Sequence, residues 1–362
     1  MSETTYKAFY IKVTPQGDIM GIQTQFLKFH DAIKLGRQDD AYKDARDKDD
    51  SITGEVKQAF RDTGYPVIED FIQGSFSTDT GIKRKGADFD IDRAIVIDAD
   101  ADKAPDNPVT PKVKLCDDVL VPRGFQEAKV KMPCVTANYK GLNLHIDFPV
   151  YRKSGSRYEL AVGKEYSDEQ HKKWESSDPR GLISWINDKS SYGSSGDEKR
   201  AQYKRIVRYL KRWRDEKFSG GVGKKVYSIG LTIMAKESFR PFLDWDGAPN
   251  DLIAMKDTVA AMLAGRYFPG YQNQYALDVP LPVMPYRNVF ANSAMDTTTQ
   301  IKNKLEHFKK KLAEAAAESD LMRQCQLLNG LFGEAFEIPK GSSSGRKTVF
   351  ASAGAVGTSQ GA

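Results

Sequence analysis

An α+β fold is predicted for this chain, a mixed twisted sheet flanked by helices and followed by a helical domain. Segments Val67 to Gln73, Asp88 to Ile97, Ala128 to Tyr139 and Leu142 to Tyr151 read as strands. Beyond Tyr166 the apolar spacing changes to that of helices. Size agrees: at roughly 150 residues per domain, 362 residues suit two domains with ample core.

The elements follow in order. Residues 1 to about 65 read as largely helical, with Ile22, Phe26, Phe29, Ile33 and Leu35 at near-helical spacing. A charged stretch from Gln38 to Asp50 precedes Ser51, a candidate N-cap for a second helix that Gly64-Tyr65-Pro66 ends. The four strands come next, and Asp98 to Val109 reads as a loop. Asp178-Pro179-Arg180, between Trp174 and Trp185, starts a helix, and Tyr192 to Gly196 is a loop. Glu198 to Asp215 is the clearest helix. Tyr203, Ile206, Val207, Leu210 and Trp213 form its apolar stripe, and Arg200, Lys204, Arg208 and Lys211 line another face. That basic face alone reads as solvated. Further helices fit Ile229 to Lys236, Asp251 to Gly265 and Thr297 to Leu328. The organisation expected is a sheet unit with N-terminal helices over 1–170, a helical domain over 171–340 and a flexible Gly/Ser/Ala/Thr-rich tail over 341–362.

Composition narrows the function classes. Charged residues are 28% and hydrophobic residues 40%, ordinary for a soluble globular protein. The net charge of +5 suits an anionic small substrate and is too weak to demand nucleic acid. Cys116, Cys134 and Cys325 lie far apart without metal spacing, which suits a reduced, cytoplasmic protein. No apolar run reaches the length of a membrane span, and no signal-peptide core opens the chain, so no membrane partner is expected.

The chemistry concentrates in Gly74-Ser75 and Asp88-Phe89-Asp90-Ile91-Asp92. Alternation along a strand puts its acids on one face, where they repel unless a cation sits between them. A two-metal phosphoryl-transfer site needs carboxylates holding two Mg²⁺, or Mn²⁺, about 4 Å apart, a cradle for the triphosphate and cations for the leaving pyrophosphate. Asp90 and Asp92 can bridge metals. A third acid comes from Asn143 to Phe148, where Leu144, Ile146 and Phe148 face the core and His145 and Asp147 face the other way. Asp147 would bind the metal that activates an attacking hydroxyl, while His145 reads as structural. Gly74 lets backbone approach phosphate, and Ser75 can donate to it. Lys211, on the basic face, and Ser228, at the start of the next apolar helix, complete the candidate nucleotide-binding set.

These residues resemble the DNA polymerase beta-like nucleotidyltransferases, and more narrowly the bacterial CD-NTases, relatives of cyclic GMP-AMP synthase and oligoadenylate synthase. The resemblance spans most of residues 50 to 340. It rests on Gly74-Ser75, Asp90-Ile91-Asp92, His145-Ile146-Asp147-Phe148-Pro149-Val150-Tyr151, Leu210-Lys211-Arg212-Trp213, Tyr227-Ser228 and Asn329 to Phe336. Asp88-Phe89-Asp90 offers a second register; family spacing favours Asp90 with Asp92. The resemblance implies that residues 1–170 hold a nucleotidyltransferase core and that 171–340 close a nucleotide cleft. The activity it implies is Mg-dependent condensation of NTPs, ATP or GTP among them, into a cyclic di- or trinucleotide. That product would activate a separate effector in a CBASS anti-phage system.

Gly361-Ala362, ending a Gly/Ser-rich tail, meets the steric need of a ubiquitin-transfer-like partner enzyme; an end without function fits the composition equally. The alternative activity is a polymerase-type transfer to an RNA or protein acceptor. It shares the carboxylates, but no RNA-binding motif accompanies it. A third class, a nucleotide-sensing scaffold without turnover, has little reason to keep repelling acids together. Trp174, Asp178, Tyr192 and Tyr286 are candidate base contacts.

Overall fold

The computed structural model describes residues 17–36, 39–83, 89–139, 144–218 and 220–339. Two helices, α1 (Gly17–Ile33) and α2 (Asp40–Arg61), lead into strand β1 (Val67–Gln73). A single helical turn, α3 (Gly74–Ser77), follows directly, and then the central strand β2 (Phe89–Asp98). Helix α4 (Val109–Lys114) runs on into a wide π-type segment, Leu115–Leu120. The sheet continues with β3 (Lys129–Val130), β4 (Val135–Tyr139), β5 (Leu144–Phe148), β6 (Val150–Ser154), β7 (Arg157–Val162) and β8 (Lys173–Ser177). After it come α5 (Pro179–Asn187), α6 (Gly196–Lys217), the short α7 (Gly220–Gly223), α8 (Ser228–Ser238) and α9 (Asp251–Ala264). A small hairpin, β9 (Gly270–Tyr271) and β10 (Gln274–Tyr275), precedes α10 (Met295–Ala317) and α11 (Leu321–Phe332).

Strand β2 organises the sheet. It pairs antiparallel with β1 and parallel with both β5 and β6. The register is the same on both sides of Pro149: Asp92 lies opposite Asp147, and Ile95 opposite Val150. Proline lacks the N–H that would continue the ladder, so β5 and β6 are one long strand interrupted at Pro149. Beyond it, β4 pairs with β5 while β7 pairs with β6 and β8 with β7.

Alternation divides the side chains between two faces. Ile91, Ile95, Ile97, Leu144, Ile146 and Phe148 join Ile52, Val56 and Phe60 of α2 and Leu115 and Leu120 in one core. Ala94 and Val96, on the other face, pack with Phe71, Tyr151 and Tyr158, and Ile183 of α5 lies against them. The helical elements share a third core built on Tyr203, Tyr209, Leu210 and Trp213 of α6.

Four features differ from the sequence reading. Ser51 is not an N-cap: α2 runs through it from Asp40. The charged stretch is helical because Arg46 pairs with Asp49 and Asp50 one turn on, and the buried Asp49 accepts from Arg93 of β2. The sheet extends past Tyr166 to β8, which closes a hairpin with β7. Ile22, Phe26, Phe29 and Ile33 of α1 pack into the helical core with α6 and α11, not with the sheet. The long C-terminal helix is two helices, because the Asp320 carboxylate caps a fresh start by accepting from Arg323 N at 2.8 Å.

Candidate active site

Each carboxylate is aimed by its strand. Asp90 and Asp92 stand on the face of β2 opposite the buried Ile91 and Ile95. His145 lies opposite Asp90, and Asp147 opposite Asp92, on β5. On the other edge of β2, Gln73 pairs with Asp92, so the chain turns at Gly74 beside that carboxylate. Gly74 has φ +66°, and a Cβ there would lie 2.0 Å from Asp92 Oδ2. Glycine is required twice over, by conformation and by space. Asp88 lies outside the described residues, as does the tail 341–362.

A cleft of about 530 Å³ opens above this face. Gly74, Ser75, Asp90, Asp92, Lys211 and Ser228 all line it, together with Thr78, Thr80, Tyr151 and Arg214. Its far wall comes from α5 and from Leu281, Val283, Met284 and Arg287. Arg287 Nη1 lies 3.1 Å from Glu175 Oε1 of β8, an ion pair between the helical region and the sheet.

Asp147 stands apart from the cleft lining. Its Oδ1 accepts from the Thr136 hydroxyl and lies 3.8 Å from Lys131 Nζ. Among the described residues, no three His, Cys, Asp or Glu side chains converge closely enough to hold a metal ion as they stand. The acids nevertheless act on one another. Burial, then Asp147, then Asp90 push the Asp92 carboxyl up to about 7, against the opposing pull of Lys211. A divalent cation relieves that kind of crowding, and an all-oxygen donor set suits Mg²⁺. Cys134, next to this cluster, is pushed up to about 12 by burial first and Asp147 second, which keeps its thiol protonated.

The basic face of α6 is buried only in its later part, since Arg200 and Lys204 stay partly exposed. Arg208, Lys211, Arg212 and Arg214 are each 6% exposed or less. Arg208 donates to Asp79 O at 2.6 Å and Asp79 Oδ1 at 2.9 Å, and Lys211 donates to Thr80 O at 2.9 Å. The loop after α3 thus absorbs these charges on its carbonyls. Arg208 also sits 3.1 Å from His30 Nε2. Burial, then the charge of Arg208, holds His30 down at about 4, so the ring is neutral and accepts there.

Sequence reasoning missed Arg214. It donates to the Ser228 hydroxyl and, at 2.6 Å, to Asp215 Oδ1. It lies three residues after Lys211, the spacing that shares a helix face. Of the candidate base contacts, Asp178 lines the cleft and caps α5 by accepting from Gly181 N at 2.7 Å. The other three lie outside the lining. Trp174 lies under the Arg152 guanidinium and donates to Asp106 O, and Tyr192 accepts from Lys236. Tyr286 is 60% exposed.

The family model for the cyclic GMP-AMP synthase DncV-like nucleotidyltransferase domain matches residues 69–151, from β1 through the Asp147 strand. Over that stretch the chain is similar to DncV-like nucleotidyltransferase domains. A cyclic GMP-AMP synthase of Escherichia albertii is 29% identical over 192 residues, covering 51% of this chain and 40% of that protein. The chain therefore matches less than half the length of that curated relative. In structure, the CD-NTase CdnG of Bradyrhizobium diazoefficiens, solved with GTP, superposes with a TM-score of 0.63 at 13% identity, covering 87% of this chain and 96% of that one. Vibrio cholerae DncV with 3'-deoxy GTP gives 0.57 at 18% identity, covering 90% and 92%. The sheet and the helices after it thus share the fold of these two structures. No described helix is long and apolar enough to cross a membrane.

Proposed function

We propose that this protein is a cyclic oligonucleotide synthase that joins NTPs by nucleotidyl transfer into a cyclic di- or trinucleotide messenger for anti-phage defence. The observation that carries this reading is the register of Asp92 opposite Asp147 on one side and against Gly74 on the other. That juxtaposition supports reading the acids as serving the reacting phosphate and the turn as seating the triphosphate.

In this reading a ribose hydroxyl attacks an α-phosphate in line, the new P–O bond forms, and pyrophosphate leaves. Mg²⁺, or Mn²⁺ in its place, would be held as two ions by Asp90, Asp92 and Asp147 and would supply charge neutralisation and activation of the hydroxyl. Asp147, opposite Asp92 on β5, would help hold the metal that activates the attacking hydroxyl and would help take its proton. Gly74 and Ser75 seat the phosphates, and Lys211 and Ser228, with Arg214 behind it, offset the charge of the leaving pyrophosphate. The sheet lobe and the helical lobe enclose the cleft, with the division between them at Asp178. ATP and GTP are the substrates favoured by resemblance. The partners proposed are a separate CBASS effector that reads the product and a ubiquitin-transfer-like enzyme acting on the C-terminus.

Purified protein incubated with Mg²⁺ and all four NTPs should give phosphatase-resistant products, identified by mass spectrometry with nuclease digestion to read the linkages. The double change Asp90→Ala and Asp92→Ala should abolish them. Product formation only on addition of an RNA or protein acceptor would instead identify the polymerase-type transferase.

A further inference from the structure

Between the phosphate turn and the acidic strand lies a short segment, Thr78 to Lys83, whose polar groups form a continuous chain. Lys211 Nζ donates to Thr80 Oγ1 at 3.1 Å as well as to the Thr80 carbonyl. Thr80 Oγ1 and Thr78 Oγ1 are 3.0 Å apart. Thr78 Oγ1 lies 3.2 Å from Gly74 O, and Thr80 N donates to Ser75 O at 2.9 Å. Thr78 and Thr80 are 4% and 1% exposed, so water does not compete for these hydroxyls.

The chain has only one direction. An ammonium can only donate and a carbonyl can only accept. Lys211 therefore donates to Thr80, the Thr80 hydroxyl donates to Thr78, and the Thr78 hydroxyl donates to Gly74 O. Each link polarises the next. The Gly74 carbonyl is drawn toward the threonines and toward Ser77 Oγ, 2.9 Å away. A trans peptide sets its N–H opposite its carbonyl, so the Ser75 N–H points away from the threonines.

We infer that Thr78 and Thr80 are positioning residues, whose hydroxyls join the Gly74–Ser75 turn to Lys211 and aim both at one nucleoside triphosphate. This rests on the reading of that turn and that lysine as phosphate ligands. Arg208 and Arg212 support the relay by holding the same segment, through Gly81 O and Lys83 O.

The test compares Thr80→Val, which keeps the shape and removes the hydroxyl, with Thr80→Ser, which keeps the hydroxyl. Binding is measured by calorimetry with Mg²⁺ and α,β-methylene ATP or GTP, and in parallel with AMP or GMP. Thr80→Val should weaken triphosphate binding about tenfold and leave monophosphate binding unchanged. Thr80→Ser should restore wild-type affinity. In a Lys211→Met background the Thr80→Val loss should vanish. Thr78→Val, which leaves the direct partner of Lys211 in place, gives a second reading of the same relay should Thr80→Val fold poorly, and it should show a triphosphate-selective loss. Equal losses for mono- and triphosphate, an unaffected Thr80→Val protein, or failure of serine to rescue would overturn the inference. If wild-type protein binds no nucleoside triphosphate, or Lys211→Met does not weaken it, the reading of the site itself falls instead.

Discussion

Asp92 and Gly74 occupy one another's space: the carboxylate fills the volume where any side chain at residue 74 would begin. The turn proposed for phosphate and the acids proposed for metal are therefore not separate features. Replacing one displaces the other.

Gly74→Ala tests this directly. The left-handed backbone adds about 1–2 kcal/mol of strain, and the new methyl must push Asp92 aside. A displacement on the order of 1 Å at a reacting centre lowers rates roughly a hundredfold. Initial rates of product formation should fall by about that factor, with a modest drop in Tm. A variant with near-normal rate would show that Asp92 can do its work from another position.

The raised Asp92 carboxyl gives a pH dependence of known sign. Its folded value of about 7 lies above the ordinary 3.8, so the folded state holds the proton more tightly than the unfolded chain. In chelator, this group favours the folded state below about pH 4, loses that contribution as pH rises, and has lost it above about 7. Asp92→Asn should remove this part of the pH slope, measured by urea unfolding between pH 5 and 8. In the proposed site Mg²⁺ would displace the same proton, so its affinity should fall about tenfold per pH unit below 7.

Arg214 holds Ser228 at the cleft. Arg214→Met should raise the KM for NTP about tenfold, the scale of a lost charge-assisted hydrogen bond, with a smaller change in kcat. Arg214→Lys should not restore it, because the side chain serves Ser228, Val226 O and Asp215 at once through a planar fork. A full rescue by lysine would reduce Arg214 to a point charge.

Lys112 is fully buried, with its ammonium donating among the carbonyls of Lys131, Met132 and Gly163 and Ala161 O 3.3 Å away. Burial pulls its ammonium down to about 8. Lys112→Met would leave buried carbonyls without donors, a loss on the order of 3 kcal/mol. Thermal unfolding should show it as a clear drop in Tm. An unchanged Tm would mean that the strands around residues 131 and 163 find other donors.

Much of the site was legible because strands write their faces into sequence with a period of two. Asp90 and Asp92 against Ile91, and Asp147 against Ile146 and Phe148, fall where that period puts them. The helix of Lys211 was legible from its apolar stripe. The solvated reading of its basic face fails at Arg208 and Lys211, because hydropathy counts a cation as polar whether water or a carbonyl satisfies it. Nothing in the pattern of α6 says that Asp79, Thr80 and Lys83 turn their carbonyls toward it. Thr136 and Lys131 were equally silent, since their meaning depends on β4 lying beside β5. The break before α11 had a signal in Glu318-Ser319-Asp320, which the apolar residues on either side masked.

The interruption at Pro149 has a further consequence. The strand carrying Asp147 is gripped by β2 on both sides of the proline, with β4 along its first half and β7 along its second. Sliding it by one residue would turn Leu144, Ile146 and Phe148 out of the core together. The alignment of the acids is thus guarded by the same apolar contacts that keep the domain folded. Substitution can silence the chemistry one side chain at a time, but drift cannot relocate it while the sheet survives.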